Sequence, residues 1–74
     1  MKLSNAINKL EKLGFDIQSN LGSYIASYEE YDVRFYENGL GSGETHKFTV
    51  KCNHTGLSVY GLSLKKAIEH CHIQ

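Results

Sequence analysis

The hydrophobic pattern changes period twice along this chain, and that change limits the fold more than any single residue does. Leu3, Ala6, Ile7, Leu10 and Leu13 recur at spacings of three and four, which sets them on one stripe of an α-helix. From Phe15 onward the period drops to two, the spacing of a strand with one buried face. Near the end it returns to helical spacing with Leu64, Ala67, Ile68 and Cys71. With 74 residues there is room for one core. Residues 1–74 therefore read as a single α+β domain in the order α-β-β-β(-β)-α. The simplest way to bury both helical stripes is an antiparallel meander with the two helices on one face.

The first helix is expected over residues 4–13, capped by Ser4, with Lys9 and Lys12 at its negative end and Gly14 as a left-handed stop. Phe15 and Ile17 alternate with Asp16 and Gln18 as a short strand before a turn at residues 19–23. Tyr24, Ala26 and Tyr28 share one face, and Tyr31, Val33 and Phe35 alternate with Asp32, Arg34 and Tyr36. Glu29-Glu30 between them suits a tight primed turn poorly, so residues 24–37 read either as a loose hairpin or as one long bent strand. Residues 38–44 are glycine-rich and aperiodic, a loop. Phe48, Val50 and Cys52 then face inward and Lys47, Thr49 and Lys51 outward. A turn at residues 53–56 leads to a short partner strand carrying Leu57 and Val59. The last helix is expected at about 63–72 with Ser63 as its cap. Leu10, Phe48, Val50, Leu64 and Ile68 should meet in the core.

Charge narrows the function classes. Eight Lys and Arg balance eight Asp and Glu, so the chain lacks the overall positive bias that nucleic-acid binders usually gain from phosphate neutralisation. No run reaches the apolar length of a membrane span, and the start opens straight into an amphipathic helix without the pattern of a signal peptide. Two cysteines, Cys52 and Cys71, are too few for a secreted disulfide scaffold. A cytoplasmic protein is expected, with no membrane partner.

Four groups of residues invite a chemical reading. The segment Asn38-Gly39-Leu40-Gly41-Ser42-Gly43 resembles a phosphate cradle in composition, but such a cradle must open a helix and here a strand follows. Cys52, His54, His70, Cys71 and His72 are metal-ligand types. Both thiols fall in register with core faces, where free cysteine packs as a small hydrophobe, and neither spacing is a zinc pattern, so no metal or other cofactor is expected. Lys65 and Lys66 stand in a first helical turn, where the dipole prefers carboxylates. They are either solvated surface lysines or an anion site, with Lys47 and Lys51 as further cations. Finally, Tyr24, Tyr28, Tyr36 and Tyr60 are candidates for protein contact, since exposed tyrosine is enriched where proteins meet. No nucleophile, base and orienting acid can be assembled by spacing, and nothing demands an enzyme.

Two resemblances rest on short segments. His46-Lys47-Phe48-Thr49-Val50 resembles the second strand of double-stranded-RNA-binding domains, and Ser63-Leu64-Lys65-Lys66-Ala67 is similar to the lysine-bearing start of their last helix. This likeness covers about residues 43–71 and implies an αβββα fold with phosphate contacts from Lys65 and Lys66. Leu10-Glu11-Lys12-Leu13-Gly14-Phe15, Gly22-Ser23 and Leu64-Lys65-Lys66-Ala67-Ile68 resemble HicA-type toxins, small ribonucleases of the same kind of fold. That family's catalytic histidine would follow the Gly-Ser pair. Tyr24 stands there, and a phenol titrating near pH 10 cannot serve as acid or base at neutral pH. The expected function is a non-catalytic interaction module that binds a protein partner as a regulator or inhibitor. The alternative is an RNA-binding module or degenerate toxin relative using Lys65, Lys66, Lys47 and Lys51.

Overall fold

The computed structural model describes residues 3–36 and 47–71. Helix α1 (Leu3–Lys12) leads into five strands, β1 (Asp16–Asn20), β2 (Ser23–Tyr28), β3 (Tyr31–Tyr36), β4 (Phe48–Cys52) and β5 (Ser58–Leu62), and helix α2 (Leu64–His70) follows. The strands form one sheet in sequential order, every neighbouring pair antiparallel. This is the α+β meander that the periodicity predicts, with the hairpin alternative for residues 24–36 supplying the fifth strand. The glycine-rich residues 38–44 lie outside the described residues.

Local chemistry accounts for where the elements stop. At the end of α1 the Phe15 N–H donates to the Leu10 carbonyl at 3.1 Å and the Gly14 N–H to the Glu11 carbonyl at 3.0 Å. That pair of bonds is the Schellman arrangement, and it requires the left-handed φ of 99° that Gly14 supplies. Its usual companion, an apolar contact across the cap, is made by Leu10 and Phe15, both buried. At the start of α2 the Ser63 hydroxyl accepts the Lys66 N–H at 3.3 Å, as its capping position requires.

The core lies between the sheet and the two helices. Cross-strand partners Ala26, Val33 and Val50 form one row of the covered face, and Ala6 and Leu10 of α1 with Leu64, Ala67 and Cys71 close over it. Phe35 and Phe48 are fully buried at its centre with ring centroids 5.1 Å apart. Leu10, Phe48, Val50 and Leu64 sit where the sequence places them, whereas Ile68 is only half-buried. Ala67, fully buried, occupies the inner line of α2 instead. Cys52, expected inward, is half-buried at the end of β4.

The structure also settles residues 24–36, and residue 37 lies outside the described residues. Tyr28 pairs with Tyr31, so β2 and β3 form a hairpin closed by Glu29 and Glu30 alone. Glu29 adopts a φ of 53°, a left-handed conformation that ordinarily favours glycine. Six paired positions between the strands outweigh that local penalty.

Candidate protein-contact surface

Because both helices cover one face of the sheet, the side chains alternating away from the core line an open face. The register assembles it row by row. Ile25, Arg34 and Thr49 are successive cross-strand neighbours, Ser27, Asp32, Lys51 and Ser58 form the next row, and Ser23 stands beside Tyr36. Arg34, Tyr36, Thr49, Lys51, Ser58 and Tyr60 surround a shallow depression of about 130 Å³. Tyr36 and Tyr60 are 61% and 74% exposed.

The polar groups of this face differ in what they leave available. Asp32 accepts hydrogen bonds from the Ser27 hydroxyl at 2.8 Å and the Asn53 side-chain amide at 3.1 Å. Both of its carboxylate oxygens are thereby engaged, and they brace the β3–β4 end of the sheet. Among the described residues neither Arg34 nor Lys51 forms an ion pair. The depression thus offers two phenol rings, two hydroxyls and two cationic groups.

The four candidate tyrosines divide between the faces. Tyr24 stacks on Phe35 with centroids 5.3 Å apart and planes inclined by 11°, and Tyr28 packs on Phe15 at 5.2 Å. These two extend the core. Tyr36 and Tyr60 are the exposed pair.

The four candidate lysines are not brought together. Lys51 lies on the open face, and the exposed Lys47 shares its alternation parity. Lys65 and Lys66 are on α2, across the sheet. Lys66 Nζ lies 3.6 Å from the Glu69 carboxylate, so the i,i+3 neighbour offsets part of the charge that opposes the helix dipole. The cap already takes the Lys66 N–H. Both lysines are exposed on a seven-residue helix.

The cysteines are free thiols in opposite environments. Burial pushes the Cys71 thiol up to about 11. Cys52 is shifted down, first by a hydrogen bond with the Thr55 hydroxyl and then by backbone N–H groups of the same turn. Among the described residues no group of three His, Cys, Asp or Glu converges on a metal-sized site, and His72 lies outside them.

One exposed residue escaped the sequence reading. Leu21 and Gly22 form the two-residue turn between β1 and β2, both left-handed at φ 51° and 86°. Leu21 is completely exposed. A type I′ turn ordinarily begins with Asn or Asp, so the legible signal was Leu-Gly standing where Asn-Gly is the usual chemistry. Ser23, which follows the turn, pairs with Tyr36, so Leu21 stands at the Tyr36 end of the sheet. No protein-family model, curated protein or solved structure matches this chain.

Proposed function

We propose that this protein is a small non-catalytic interaction module that binds a protein partner across the open face of its sheet. The supporting observation is the pair Tyr36 and Tyr60, held exposed by a rigid sheet around a depression rimmed by Arg34 and Lys51. Tyrosine carries a large amphipathic contact area at small entropic cost, and tyrosine and arginine are the residue types enriched in interface cores. The depression is far smaller than the roughly 300–1,000 Å³ of pockets that enclose small ligands. It suits one or two side chains of another protein. Two cationic groups in it favour a partner that presents carboxylates. Leu21 adds an apolar anchor at one end.

The RNA alternative lacks a comparable focus, since its lysines are divided between opposite sides of the molecule. Affinity capture with the wild-type chain, compared with a Tyr36→Ser/Tyr60→Ser double variant, tests the proposal. Specific proteins retained by wild type and lost by the variant support it. Retention unaffected by the variant overturns it. Single-stranded or double-stranded RNA binding that weakens steeply with salt would replace it with the alternative.

A further inference from the structure

Strand β5 is an edge of the sheet and is chemically unlike the other edge. No charged residue and no proline occurs from Leu57 to Leu62, whereas β1 opens with Asp16 and is polar at all positions but Ile17. Leu57, Val59 and Tyr60 on β5 are 71%, 39% and 74% exposed. Natural sheets usually guard such an edge with charge, proline or a bulge, because its unpaired N–H and C=O groups template pairing with another chain. The β5 strand carries a bulge between Val59 and Leu62, with Gly61 left-handed at φ 70°, so the unguarded stretch runs from Leu57 to Tyr60.

The direction of those groups follows from the ladder. The Cys52 N–H donates to the Leu57 carbonyl at 2.9 Å, and Lys51 and Val50 stand opposite Ser58 and Val59. The Leu57 N–H donates to the Thr55 hydroxyl at 3.3 Å, so at Leu57 only the carbonyl bonds toward β4. By antiparallel alternation Val59 bonds toward β4, while the N–H and C=O of Ser58 and Tyr60 point away from it. We infer that β5 is a homodimerisation edge, pairing antiparallel with β5 of a second copy about a twofold axis at Val59 to form one continuous ten-stranded sheet.

The strand is self-complementary in this register. Ser58 of each copy faces Tyr60 of the other, and the four outward groups of each strand exchange hydrogen bonds. Val59 meets its own equivalent on the helix side, the shorter-separated, non-hydrogen-bonded type of pair. The bulge at Gly61 ends the regular register, so the paired stretch is Ser58, Val59 and Tyr60 of each copy. No like charges meet across the axis, and a chain with zero formal net charge adds no long-range repulsion between copies. This is what identifies a second copy rather than a foreign strand as the occupant. The proposal is independent of the function assigned to the open face, although pairing would bring the two Tyr60 side chains onto one continuous surface.

Sedimentation equilibrium across micromolar to high-micromolar concentration tests the inference, together with amide hydrogen exchange. The wild type is expected to dimerise, with Ser58 and Tyr60 amides gaining protection as concentration rises and Val59 protected throughout. Val59→Lys sets two ammonium groups against each other at the axis and should give a monomer. Ser58→Pro removes an outward donor and leaves the β4 ladder intact, so it guards against misfolding of the first variant; circular dichroism reports folding for both. A wild type that stays monomeric at every concentration overturns the inference, and so does a dimer that survives both folded variants. A monomer whose Ser58 and Tyr60 amides become protected only on adding a foreign extended peptide overturns the choice of occupant.

Discussion

Tyr24 and Tyr60 are both strand tyrosines in the same five-stranded sheet, yet they do different work. Tyr24 lies flat on Phe35 beneath the helices. Tyr60 stands 74% exposed beside Arg34 and Lys51. The covered face is built mostly of Ala, Val, Phe and Leu, with Cys71 among them and Tyr24 and Tyr28 at its margin, and no polar or charged residue is buried among the described residues. The open face mixes hydroxyl, phenol, carboxylate and cation. Residue type alone does not separate them. Alternation parity does, because each strand sends successive side chains to opposite faces. The lesson is that this domain buries its apolar side chains on one face and gathers polar and aromatic groups on the other.

The largest test of that division compares a residue at the centre of each face. Phe48→Ala removes a fully buried ring that touches Phe35 and should cost about 3–5 kcal/mol. A domain of this size has roughly 4–11 kcal/mol in total, so the variant should lose between about a quarter and all of its stability. Tyr60→Ala should change stability by no more than about 0.5 kcal/mol. Urea denaturation of the three proteins measures both values. Comparable losses from the two substitutions would mean that the open face also carries the fold.

The thiols sharpen the same contrast at its margin. In Cys71, burial raises the folded-state value to about 11 from an ordinary 9.0. A group raised on folding contributes stability that is fully present below its unfolded value and is lost as pH rises through its folded one. The denaturation midpoint should therefore fall between about pH 9 and pH 11, and Cys71→Ala should flatten that fall relative to wild type. Tyr31, raised by desolvation first and then by nearby Glu30, contributes in the same direction and remains in the variant. Cys52 is shifted the other way by the Thr55 hydroxyl. It should react with a disulfide reagent well before Cys71 does in the native protein, as mass spectrometry of the labelled peptides would show. Equal labelling rates would contradict the two environments.

Much of this architecture was legible. Both helices, their Ser63 and Gly14 boundaries, the meander and most of the core follow from period and capping chemistry. The β2–β3 turn was not, because Glu29-Glu30 carries the wrong local preference and only pairing along the whole of β2 and β3 reveals it. Ile68 was misjudged for a related reason: periodicity defines a stripe but not which line of it points deepest, and on a seven-residue helix Ala67 takes that line. The candidate surface was half legible. Parity separated Lys51 and Tyr36 from the core, but Arg34, Thr49 and Ser58 became neighbours only through registers that sequence spacing does not fix. The lysine pair on α2 stands out by opposing its helix dipole, and the ion pair of Lys66 with Glu69 depends on a side-chain geometry that spacing permits without requiring.

The smallest expected effect falls at Leu21, where stability and function should part. A left-handed φ costs a non-glycine L-residue roughly 1–2 kcal/mol, less for Asn, whose short polar side chain tolerates that region. Leu21→Asn would create the Asn-Gly pair that type I′ turns prefer and remove a fully exposed leucine. Nothing in the folded domain is lost, since Leu21 makes no core contact. Stability should rise by about 0.5–1 kcal/mol, within the range of common stabilising substitutions. A residue that is both strained and exposed, with a better local alternative, marks a place where the chain departs from its own stability optimum, and such departures cluster at functional positions. The same variant should therefore retain less partner in affinity capture despite its higher denaturation midpoint. Higher stability with unchanged capture would remove Leu21 from the contact surface and leave Tyr36 and Tyr60 to carry it. Lower stability would show that the turn is held by something other than its own backbone preferences.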